Sequence, residues 1–125
     1  MPSRKETFLV MQTVAQAARA YETGASHRSM REQQADVFRW ANSFLRQGRE
    51  GDALTRARAL ANNRRLWGTV INLMQDPANP LPAPLRGSII SLGMVVQRNM
   101  DRDRPDFDFL IQTNENMAAG LSGQP

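Results

Sequence analysis

Asp76-Pro-Ala-Asn-Pro-Leu-Pro-Ala-Pro84 is the stretch on which the fold turns. It holds four of the chain's seven prolines, while residues 3–76 before it hold none. Seventy-four Pro-free residues rich in Ala, Arg, Gln and Leu favour helix, because straight side chains lose little rotamer freedom there. Inside the quoted stretch each proline fixes φ and withholds an amide, so a helix must end before it. Proline also suits a helix's first turn, and Asp76–Pro84 therefore reads as an ordered stop and restart between two helices.

Working outward from that break, the 3.6-residue periodicity predicts five helical segments. The first spans Lys5–Glu22, with Val10, Met11, Val14, Ala17, Ala18 and Tyr21 on one side and Gly24 as its stop. The second spans Met30–Gln47, opened by the capping-box pair Ser29 and Glu32 and followed by Gly48; Val37, Phe38, Ala41, Phe44 and Leu45 form its stripe. The third runs from an Asp52 cap to Gln75 on Leu60, Leu66, Trp67, Val70, Ile71 and Met74. Beyond the prolines, Ala83–Asp101 presents Leu85, Ile89, Leu92, Val96 and Met100, and Asp106–Gly120 presents Phe107, Leu110, Ile111, Met117 and Leu121. Ile89-Ile90 and Val95-Val96 sit inside these patterns, and no alternating β-branched run occurs. The expected fold is all-α: a small single-domain bundle of about five helices without a sheet. Residues 1–22 are semi-independent in this reading, 77–84 a connection, and 122–125 a frayed tail.

Composition narrows function more than it names it. The 125 residues include no Cys and one His, His27, placed in the turn between the first two helices. Thiolate zinc sites, disulfides, cysteine nucleophiles and paired imidazoles are excluded. Asp101, Asp103, Asp106 and Asp108 lack the Gly and Glu of a calcium loop, and Asp103 or Asp106 serves as a helix cap instead. No phosphate-binding glycine loop or nucleophile elbow is present, so neither an enzyme nor a cofactor or metal site is expected. The apolar run Phe8–Met11 is too short for a secretory signal, and no run is long enough to span a membrane, which makes the cytoplasm the expected location. The pI near 10.9 overstates basicity, because fifteen of sixteen cationic residues are Arg and the net charge is only +4. That excess lies wholly in residues 1–62, with ten positive against six negative charges; residues 63–125 carry six of each.

Asn63-Arg-Arg-Leu-Trp67, Asn79-Pro-Leu-Pro82, Ile89-Ile-Ser-Leu92, Leu110-Ile-x-x-Asn114 and Gly120-Leu121 resemble the flagellar biosynthesis regulator FlaF family. Residues from Ala20-Tyr21 to Leu45 fit the family's N-terminal part more loosely, and Met1–Arg19 is a longer lead than the family's. The resemblance implies a small cytoplasmic helical protein that promotes flagellin production and secretion, binds flagellin, and opposes the flagellin translation repressor FlbT.

Each candidate position carries two readings. Asn63 lies about 40° from Trp67 on the helical wheel; it is either a buried amide bonded to a neighbour such as the Pro-rich loop, or part of a partner surface with Arg64 and Trp67. Arg65, with Arg58, lies on a polar face as a solvated cation or an interface rim. Trp67 and Trp40 are core or interface anchors, since Trp and Arg dominate binding hot spots. Ile90 and Met94 face away from the main stripe of their helix. Either that helix is central and covered on both sides, or a docking strip is exposed. Asn114 interrupts the last stripe as a structural hydrogen-bonding group. The expected flagellin-binding set is thus Trp40, Arg64, Arg65, Trp67, Ile90, Met94 and Phe109, engaging a helical terminal segment of flagellin. RNA binding to a flagellin transcript is the alternative, although no aromatic-studded basic surface supports it. A plain oligomerisation module is the third reading.

Overall fold

The computed structural model describes residues 24–123. Within them lie α1 (Gly24–Glu50), α2 (Ala53–Gln75), α3 (Ala83–Met100) and α4 (Phe107–Leu121), and no strand. The described residues are all-α, as the periodicity predicts; the expected helix over 5–22 lies outside them.

Three boundaries follow the capping chemistry. Asp52 accepts a 2.8 Å hydrogen bond from the Thr55 amide at the start of α2, and Asp106 accepts one of 3.1 Å from the Phe109 amide at the start of α4. Between the aspartates that were alternatives for this last cap, the structure selects Asp106. Pro82 and Pro84 open α3. The connection before them is held by side chains: Asp76 Oδ1 accepts from the Ala78 amide, Asn79 Oδ1 accepts from the Leu81 amide, and Asn79 Nδ2 donates to Leu73 O. Arg86 then reaches back to the Leu81 and Met74 carbonyls.

α1 departs from expectation at both ends. Gly24 is helical rather than a stop, and the backbone is helical through His27 and Ser29, so neither a turn nor a helix start falls there. Gly48 lies inside it, because the position is a contact and not a terminus: a Cβ there would come within 2.9 Å of Ala59 Cβ and 3.2 Å of Phe107.

α1 packs on both α2 and α4, and α3 packs on α2, whereas α3 and α4 barely meet. Phe38, Ala41, Leu45, Leu60, Leu66, Trp67 and Val70 fill the centre, joined by Val96, Met100, Leu110 and Ile111. Phe38 and Trp67 meet edge to face, 5.8 Å between centroids. The surface seam between α1 and α4 carries the ion pairs Arg46–Glu115 and Arg49–Asp108. Below it, buried Asn42 Nδ2 donates to Ile111 O at 3.0 Å.

Candidate functional site

Val96, Met100, Phe107 and Leu110 are buried, so α3 and α4 start close together at their connecting turn. They diverge from it. At the far end Ile89 of α3 and Met117 and Leu121 of α4 are only half-buried, and a cleft of about 90 Å³ opens between them. Its floor is Phe38 of α1 with Val70 and Leu73 of α2, and Met74, Leu81 and Gln34 close its end. This volume suits one branched aliphatic side chain, or about three waters at ~30 Å³ each. Among the described residues, four of the six large apolar residues with exposed side chains lie on α3 and its lead-in: Leu81, Leu85, Met94 and Val95. The site is therefore an apolar trough, open to solvent, with helices for walls.

A buried amide relay sets the spacing of those walls. Trp67 Nε1 donates to Asn114 Oδ1 at 2.8 Å, and Asn114 Nδ2 donates to Asn63 Oδ1 at 2.8 Å. Asn63 Nδ2 contacts Met100 Sδ at 3.4 Å. All three relay side chains are fully buried, and the contacts tie α2 to α3 and α4. Such groups cost about 1–3 kcal/mol each when left unpaired, so the relay holds the helices at fixed distances.

Asn63 is thus an internal amide, bonded to Met100 and Asn114 rather than to the Pro-rich connection. Trp67 is wholly buried and has no side-chain surface to offer a partner. Trp40 is 47% exposed on α1, with its ring 6.1 Å from that of Phe44. Arg64 donates to Met100 O at 2.7 Å and pairs with Asp101, which fastens it to the end of α3. Arg65 is exposed on α2. Met94 is exposed and Ile90 half-buried along the outer edge of α3, and Phe109 is half-buried on α4. α3 lies at the margin of the bundle, so the central position considered for it is corrected: α2 covers one face, and the opposite face meets solvent among the described residues.

The expected set is therefore scattered over four helices and forms no single surface. Of the trough residues, Met74, Ile89, Met117 and Leu121 were legible only as apolar stripe positions and Leu81 as part of the connection, while Leu73 fell outside the stripe read for its helix. One signal was available: α3 is apolar over more of its circumference than a single neighbour can cover.

Several arginines are held in ion pairs. Arg39 pairs with Glu32 and Asp36, and Arg49 with Glu50 and Asp108; these carboxylates, led by Asp36 and Asp108 respectively, raise both guanidinium pKa values. Arg49, Arg56 and Arg104 gather around Phe107, with Asp103 among them. Among the described residues no cluster of His, Asp and Glu could hold a metal ion, and no helix is long and apolar enough to cross a membrane.

These features define a class: a small all-α protein with an apolar helix-lined trough. The family model for flagellar protein FlaF matches residues 17–121, and the chain belongs to that family, which places it in flagellar biogenesis. No curated protein and no solved structure matches the chain.

Proposed function

We propose that this protein is a non-enzymatic cytoplasmic regulator that promotes flagellin synthesis or secretion by holding an amphipathic helix of flagellin in the trough between α3 and α4. The open apolar cleft floored by Phe38, Val70 and Leu73 carries this reading. A partner helix laid there buries its stripe against residues that otherwise meet water, the mode in which helices dock in grooves. Holding flagellin in this way opposes the repressor FlbT by keeping flagellin from accumulating unbound.

Titration calorimetry of the full chain with its cognate flagellin tests the proposal. Binding is expected, and Leu85→Glu at the trough's lip should weaken it at least ~10-fold by placing a charge against apolar surface. Met94→Glu, on the other edge of the same helix, should leave it within about 2-fold; both substitutions are at exposed sites whose folding circular dichroism can verify. No heat and no complex at tens of micromolar would overturn the reading. Affinity for a flagellin transcript falling steeply between about 50 and 200 mM salt would favour RNA instead.

A further inference from the structure

No charged side chain lines the trough among the described residues. α3 has two charged residues: Arg86, tied to the Leu81 and Met74 carbonyls, and Arg98, about 120° around the wheel from Leu92. α4 also has two, Asp108 and Glu115, both paired with arginines of α1. Ile89 of α3 and Met117 of α4 line the trough, and with them by wheel position lie Leu85, Ser88 and Leu92 on α3 and Thr113, Asn116 and Gly120 on α4, each set within 100°. The polar groups on these walls are hydroxyls and amides. At the end of the trough sits Gln34, half-buried, whose side chain makes no hydrogen bond among the described residues.

We infer that the trough selects an amphipathic helix whose apolar stripe is flanked by uncharged amide and hydroxyl side chains, over about two turns. Leu85 to Leu92 spans seven residues of helix, roughly 10 Å at the α-helical rise, and that sets the length. A carboxylate or ammonium on the flank of the occupant would lose water against walls that carry no opposite charge, an uncompensated cost. An amide or hydroxyl keeps its hydrogen bonding through Ser88, Asn116 and the unoccupied Gln34 amide. The inference rests on the trough as the docking site and adds the chemistry of what it accepts.

Three synthetic peptides with one shared Leu stripe, flanked by Gln, Glu or Lys, separate this selectivity from flagellin binding. Fluorescence anisotropy against the full chain should show the Gln-flanked peptide binding at least ~10-fold tighter than either charged one, with less than about 2-fold change from 50 to 500 mM NaCl, because no counter-charge is released. Ser88→Glu with Asn116→Glu, both at exposed sites, should switch the preference to the Lys-flanked peptide, while Met94→Glu on the outer edge of α3 should not. Equal binding of the three peptides, a preference for a charged one, no binding of any, or an equal effect of Met94→Glu would each overturn the inference. Failure of flagellin to bind while the Gln preference holds would strike the proposed partner alone.

Discussion

Asn114 uses both ends of its amide inside the molecule, accepting from the Trp67 indole and donating to Asn63. Replacing it by Ala strands two buried polar groups and opens space, whereas Trp67→Phe strands one acceptor. At about 1–3 kcal/mol for each unpaired group, urea denaturation should rank Asn114→Ala as the more damaging, by roughly the cost of one such group. A double-mutant cycle should show the two changes to be strongly non-additive. Equal or additive losses would mean that the relay is not one unit. Asp52 predicts a pH effect. The Thr55 amide, with its hydroxyl, holds the Asp52 carboxylate below its ordinary pKa. A lowered folded-state pKa adds stability above the unfolded value, about 3.9, and that stability is lost as pH falls through the folded value. Asp52→Asn keeps an N-cap acceptor and should remove this part of the acid sensitivity in pH-dependent unfolding. An unchanged acid profile would contradict the role given to Asp52.

At the scale of elements, α3 contains two glycines with opposite expectations. A Cβ on Gly93 would lie 2.7 Å from Ile71 Cγ1 and 3.3 Å from Trp67 Cε3, whereas one on Gly87 meets nothing within 4 Å. Gly87→Ala should therefore stabilise by about 0.5–1 kcal/mol through helix propensity, and Gly93→Ala should destabilise by about 1–3 kcal/mol through crowding between α2 and α3. Ile71→Val alongside Gly93→Ala should recover part of the loss. Thermal unfolding that moves both single variants the same way would contradict the close approach. These glycines also show where sequence signals reach. Asp52, Asp106 and the prolines specify α2–α4 to within a residue, because caps and missing amides act locally. Gly48 misleads as a terminator, since its reason for being small is Ala59 and Phe107 on other elements. Ser29 and Glu32 have the spacing of a capping box, but helix already precedes them and leaves no free first-turn amides to cap.

At the scale of the whole molecule the site depends on which helices do not touch, and no single segment encodes that. The stripe positions Ile89 and Met117 were legible as apolar; the gap between them follows from α3 leaning only on α2 while α4 leans on α1. The same asymmetry predicts how the molecule opens. α1 and α2 each bury side chains against two neighbours, whereas the first three turns of α3, from Ala83 to Leu92, hold no fully buried residue. Ion pairs on the α1–α4 seam change this little, since exposed pairs contribute about 0–1 kcal/mol. Local opening is easiest where few apolar contacts must break. Native-state hydrogen exchange should therefore find the amides of 87–92 less protected than those of 38–48 and 63–73. A helix bound in the trough should slow exchange at 87–92 and 113–121 more than in α1, because it supplies the contacts that α3 and α4 lack. Uniform protection across all four helices, or slowing confined to α1 around Trp40, would place the partner elsewhere on the molecule.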